Sequence, residues 1–187
     1  MTMTPAAPSE PHPRLQRRLA ILALVLVGIL AAGLLLAVIS FPFVFRVARI
    51  EGQAMSPTLR DQDRLLVNKL AYQGTRPQRG DIVMMRYPLD PSKLFVKRVI
   101  GQAGDRLHAS NGHVFLDGKS YDDSYVLPQF RDRADWGPVI VPDGHYFVMG
   151  DRRNNSSDSR HWGFVPANYI LGKVTFRWWP IADARRY

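Results

Sequence analysis

Lys97 stands in Leu94-Phe95-Val96-Lys97-Arg98-Val99-Ile100-Gly101, an apolar run in which its ammonium would be stripped of water. Burial disfavours the charged form of an amine, lowers its pKa and turns it into a base. A base of that kind can activate a hydroxyl for attack on a carbonyl, provided that donors face the oxyanion that develops. A lone lysine in a strand is ordinarily solvated, so other parts of the chain must supply the rest of such a site. Two stretches have suitable composition. The first, Ile50-Glu51-Gly52-Gln53-Ala54-Met55-Ser56-Pro57-Thr58-Leu59, is a turn bounded by proline. The second, Met149-Gly150-Asp151-Arg152-Arg153-Asn154-Asn155-Ser156-Ser157-Asp158-Ser159-Arg160-His161-Trp162-Gly163-Phe164-Val165-Pro166, crowds hydroxyls, carboxylates and guanidinium groups into one segment.

The elements that must position these residues read as strands. Short apolar runs at 64–70, 81–87 and 94–100 alternate with turn residues, and further strands are expected at 113–116, 144–149 and 173–179. Segments 73–80 and 88–92 read as loops, because their Pro and Gly residues break strand pairing. Asn111-Gly112 and Asp117-Gly118 bracket a short apolar run, which predicts a small β-meander. Residues 122–136 are polar and aperiodic, as in a surface excursion, and a short turn is expected around 166–170. The fold class is therefore mostly β.

From residue 19 to residue 45 no side chain is charged, which is long enough to cross the roughly 30 Å hydrocarbon core of a bilayer. A cleavable secretory signal is the competing reading, but its apolar region usually stops at about 7–15 residues. The expected organisation is a disordered tail at 1–18, a retained anchor at 19–45 and a β-rich domain at 46–187. Arg14, Arg17 and Arg18 precede the anchor, while Arg46 and Arg49 follow it, a bias that favours a cytoplasmic N-terminus and an exported domain.

The net charge is +9, of which residues 46–187 carry +7, so a domain tethered near lipid would be drawn to anionic headgroups. Its basic residues are scattered among acids without a recognition motif, which argues against a nucleic-acid partner. There is no cysteine, which excludes disulfides, thiolate catalysis and zinc–thiolate sites.

The three blocks, in their order along the chain, resemble those of bacterial type I signal peptidases, and the resemblance runs through nearly the whole chain. Phe95 to Gly101 followed by Gly104-Asp105 looks like the block that carries the general base, and Arg79-Gly80-Asp81-Ile82-Val83 resembles a fourth block. The resemblance implies an antiparallel β-sheet domain behind one N-terminal transmembrane helix. It implies a serine–lysine endopeptidase that removes signal peptides from preproteins, with the bilayer as its other partner and with neither metal nor cofactor. Ala54 stands where the family has its nucleophilic serine, and Lys97 matches the base. Ser156 aligns with the hydroxyl that orients the lysine, Asp158 and Arg160 match one supporting ion pair, and Asp151 and Arg98 match another. Ile50, Met55, Leu59, Phe95 and Val96 match walls of shallow pockets for small substrate residues, although each could equally pack in the core. Gly52 replaces a hydroxyl-bearing residue that some members use at the oxyanion, so a hole here would rely on backbone N–H groups, including that of Ala54.

A methyl group has no lone pair, so Ala54 closes the acyl-enzyme route and the chain is expected to be inactive. Ser56 does not replace the serine if a turn separates it from Ala54. The intact Lys97, Ser156, Asp158 and Arg160 favour an introduced Ser→Ala exchange over a long-inactive relative. Rival readings are a membrane protein that binds signal peptides without cutting them and a tethered module whose basic face binds lipid. Met55 and Trp178-Trp179 are expected near a lipid interface, where amphipathic rings are favoured.

Overall fold

The computed structural model describes residues 13–187, and the chain divides at Pro42 into two compact units. The first holds all but the last two residues of helix α1, Pro13–Val44, whose apolar side chains are exposed along most of its length. A helix apolar on every side satisfies its backbone internally and suits lipid rather than water. The stretch Gln16–Val44 is long and apolar enough to cross a membrane. The helix begins at Pro13, so residues 13–18 of the expected tail are helical, and the remainder of that tail lies outside the described residues. It stops at Val44, one residue before the expected end of the anchor, because Phe45 already belongs to the first strand.

The second unit holds strands β1 (Phe45–Arg49), β2 (Arg64–Asn68), β3 (Ile82–Tyr87), β4 (Asp90–Gly101), β5 (Arg106–Ser110), β6 (His113–Leu116), β7 (Lys119–Ser120), β8 (Trp136–Ile140), β9 (His145–Met149), β10 (Val165–Pro166), β11 (Ile170–Trp179) and β12 (Arg185–Arg186). One sheet runs β1-β2-β11-β3-β4-β9-β10 with β12 against β11, and a smaller one runs β7-β6-β5-β8. Every pairing is antiparallel.

Strand β3 explains the core. Ile82 and Met84 pack with Leu65, Val67 and Val174 on one face, while Val83 and Met85 pack with Val99 and Val148 on the other. A strand covered on both faces reads as a continuous apolar run rather than an alternation. A third cluster, Ile100, Leu107, Val114, Val141, Phe147 and Met149, combines residues of both sheets. The meander forms as the turn residues require: Asn111, Gly112, Asp117 and Gly118 all have positive φ, from 50° to 79°. Only Pro88 and Leu89 turn in the segment expected as a loop at 88–92. Strand β4 resumes at Asp90, whose carboxylate accepts hydrogen bonds from the Ser92 N–H and hydroxyl.

The excursion at 122–136 has little regular structure but is firmly tied down. Arg131 donates to both oxygens of buried Asp123 at 2.8 and 2.9 Å, and Arg153 approaches the same carboxylate at 3.5 Å. Arg153 also donates to the Tyr125 hydroxyl, Asn154 to the Gln129 carbonyl and Arg160 to Asp132 at 2.7 Å. These contacts fasten the excursion to segment 150–160. Removing a carboxylate from such a buried cluster leaves guanidinium charge uncompensated. Asp123→Ala is therefore expected to lower the unfolding free energy by about 3 kcal/mol, read from urea denaturation in detergent, whereas Asp122→Ala at the neighbouring exposed position changes it by less than about 0.5 kcal/mol.

Candidate active site

Strand β4 and the segment at 49–55 enclose a depression of about 660 Å³. Ile50, Gly52, Ala54, Met55, Phe95, Val96 and Lys97 all line it, with Ser157 beside them. Its geometry follows from the sheet. Residues 94–97 of β4 pair with β3 on one edge, but β9 begins to pair with β4 only at Arg98. The other edge of 94–97 is therefore left open, and an extended peptide can add to such an edge through main-chain hydrogen bonds.

The alternation of β4 places Phe95, Lys97 and Val99 on one face, with the Lys97 ammonium 5.5 Å from the Phe95 ring centre. Lys97 is only 4% exposed, and its Nζ donates to the Ser156 hydroxyl at 2.8 Å. Burial lowers its pKa from 10.5 to about 8, Asp158 and Asp151 oppose the shift, and Arg160 assists it. Loss of hydration outweighs the two carboxylates because each already has a guanidinium partner.

Those pairs bracket the lysine. Arg160 donates to both oxygens of Asp158 at 2.8 Å, and Gly150 N–H donates to the same carboxylate at 3.0 Å. Burial pushes the Asp158 carboxyl up, but these donors outweigh it and hold the group below the usual range. Asp158 also caps helix α2, Ser159–Trp162, by accepting from the Arg160 N–H. Arg98 grips Asp151 at 2.6 and 2.8 Å, donates to the Gly80 carbonyl, and lies 4.0 Å from the Tyr125 ring centre.

Ala54 is carried by a tight turn. Ser56 N–H bonds to the Gln53 carbonyl, Leu59 N–H to that of Met55, and Arg152 N–H to that of Ala54. The turn carries the Ser56 side chain away from the depression, so Ser56 does not stand in for the absent hydroxyl. Gly52 has φ +88°, and its N–H donates to Asp61 at 2.8 Å, which leaves it occupied. The Ala54 N–H has no hydrogen-bond partner among the described residues and remains available to an oxyanion. Gly150 is required where it stands: a Cβ there would collide with both Ser156 Oγ and the Ala54 carbonyl.

Two expectations change. Leu59 does not line the depression but is fully buried behind Met55, in the cluster with Leu65 and Val67. Met55 is 2% exposed, so it forms part of the floor and is not at a lipid interface; Trp179, by contrast, is half exposed, and both Trp178 and Trp179 lie near the Arg64 guanidinium. Sequence reasoning missed Asp61, Gly150 and Arg152, which shape the turn around Ala54. Gly150 and Arg152 lie inside the block 149–166 singled out above, whereas Asp61 carried no signal.

The family model for signal peptidase, peptidase S26, matches residues 21–179. A probable signal peptidase I-2 from Synechocystis sp. is 39% identical over 158 residues, 81% of this chain and 71% of its own length. A signal peptidase I from Leptolyngbya laminosa is 35% identical over 187 residues, covering 95% of this chain and 88% of that protein. A signal peptidase I from Bacillus caldolyticus is 40% identical over 150 residues, 74% of this chain and 81% of the relative. With the dry lysine and the open strand edge in one depression, and with relatives of this similarity over most of its length, the chain belongs to the signal peptidase family, peptidase S26.

Proposed function

We propose that this chain is a type I signal peptidase scaffold that holds the signal peptides of preproteins and, with Ala54 at the nucleophile position, does not cut them. The observation that carries the reading is buried Lys97, which lines the same depression as Ala54 and is held by the Ser156 hydroxyl at 2.8 Å. Helix α1 anchors the chain in the bilayer with the N-terminus in the cytoplasm, and the β-domain works on the outer face. The preprotein segment before the cleavage point lies along the open edge of 94–97, its small side chains against Ile50, Met55, Phe95 and Val96. Lys97 is the general base, Ser156 orients it, and Asp158–Arg160 and Arg98–Asp151 fix the strands and loop around it. The Ala54 N–H serves the oxyanion.

In the form carrying Ala54→Ser, the neutral lysine takes the hydroxyl proton as the serine oxygen attacks the scissile carbonyl. The protonated lysine then returns the proton to the departing amine, and water repeats the sequence on the ester. The retention of Lys97 and its supports favours an introduced Ser→Ala exchange at position 54. A non-catalytic signal-peptide receptor is the second reading, and the alanine itself favours it.

Cleavage of a preprotein after a small-x-small motif, followed by gel in liposomes, separates the two. Ala54→Ser is expected to restore cleavage and Lys97→Ala to abolish it again; a restored form that binds but never cuts establishes the receptor reading instead. The cleavage rate of the restored form is expected to rise through a pKa of about 8 and level off above it, since only the neutral amine accepts a proton. Gly150→Ala in that background should lower the rate at least about 100-fold without loss of fold by circular dichroism, because the new methyl displaces Ser156 and Ala54 together.

Lys97 also carries a stability cost with a definite sign. It binds its proton less tightly folded than unfolded, so the folded state is penalised below about pH 8 and recovers as pH climbs towards 10.5. Lys97→Met is expected to stabilise the protein by about 2 kcal/mol at pH 7, with the gain shrinking above pH 8 in denaturation series across pH.

A further inference from the structure

On the other side of the turn that carries Ala54 lies a second depression of about 380 Å³. Gln53, Ser56 and Pro57 form one wall, and Leu127 and Phe130 face them from the excursion at 122–136. Gly52, Ala54 and Met55 line the first depression, so one turn separates the two. We propose that this second depression is the subsite for the residues that follow the scissile bond, receiving an apolar or aromatic side chain at the first or second position of the mature protein. The inference rests on the reading of the first depression as the signal-peptide cleft.

Continuity of the chain supports it. The cleft runs from Arg49 and Lys93 to Ala54 and Lys97, and the reacting bond has to lie at the end that holds the base. The segment before the bond fills the cleft, so the segment after it must leave beyond Ala54, past the turn 52–57. Leu127, Phe130 and Pro57 await it there with apolar surface.

This wall is built and tied to the site. Arg152 links the two sides: its backbone N–H bonds to the Ala54 carbonyl at 3.0 Å, its guanidinium bonds to the Gln53 side-chain oxygen, and it lies 4.9 Å from the Phe130 ring centre. Phe130 sits at the end of a short 3₁₀ turn, Pro128–Phe130, whose Gln129 carbonyl accepts from Asn154 at 2.8 Å. The same contacts that fasten the excursion to segment 150–160 therefore hold Leu127 and Phe130 against the catalytic turn. Leu127 is 38% exposed, so its apolar surface is still open to a ligand.

The test is fluorescence anisotropy with the full chain in detergent micelles, which needs no cleavage. The probes are labelled amidated peptides with one signal segment ending in Ala-x-Ala, extended past it by Phe-Ala, by Ala-Phe, by Ser-Ser or not at all. At least one Phe extension is expected to bind about tenfold more tightly than Ser-Ser. Phe130→Ala and Leu127→Ser should each remove most of that preference and leave the unextended peptide unchanged, and Phe130→Leu should retain part of it. If the unextended peptide binds and all extensions bind alike, the subsite is overturned and the cleft stands. If no peptide binds, the reading of the cleft falls and the subsite with it.

Discussion

Keeping water away from one ammonium group dictates much of the surrounding design. Lys97 sits on a strand that must be wide open on one edge to receive a peptide, yet its Nζ must lie in a space that solvent does not fill. The fold reconciles the two by pairing β4 unequally. Residues 98–101 are covered by β9, residues 94–97 are not, and the lysine stands at the junction. The carboxylates near it arrive already paired, so neither Asp151 nor Asp158 reverses the lowering of its pKa by burial. A free carboxylate at either position would stabilise the ammonium and undo the effect of burial.

The same arrangement gives meaning to the alanine at position 54. The turn around it retains its glycine at positive φ, its bond from Arg152 and an unengaged N–H, and Gly150 still leaves room for Ser156 beside it. In the proposed reading, the frame around position 54 lacks only a hydroxyl oxygen. Under the proposed mechanism, position 54 governs turnover, while the open edge of β4 and the walls of the depression govern recognition.

Much of this was readable in the sequence, for identifiable reasons. The turns at Asn111-Gly112 and Asp117-Gly118 announce themselves because their backbone demands positive φ, and strands β2, β3 and β9 stand out as apolar runs between turn residues. Strand β1 was hidden because Phe45 to Arg49 follows the anchor without a break, and β8 because Gly137 and Pro138 argue against a strand. The site residues Lys97, Ser156, Asp158 and Arg160 were legible as a family pattern, and the structure joins Lys97 to Ser156 and Asp158 to Arg160 by hydrogen bonds. The excursion was legible only as polar. Its anchorage depends on ion pairs such as Asp123 with Arg131 and Asp132 with Arg160, and contacts made between residues far apart leave no local period. Leu59 illustrates the opposite error, where a family position suggested a pocket wall and packing made it core.

The contacts that hold β4 to segment 150–160 are distant along the chain: Lys97 and Ser156 are 59 residues apart, and Arg98 and Asp151 are 53 apart. Non-local pairing of this kind forms late, after the entropy of closing long loops has been overcome. In an unfolded chain the lysine is therefore a hydrated, ordinary ammonium, and its pKa is lowered only when segment 150–160 docks beside β4. The altered amine is thus a property of the completed fold rather than of any local segment of the chain.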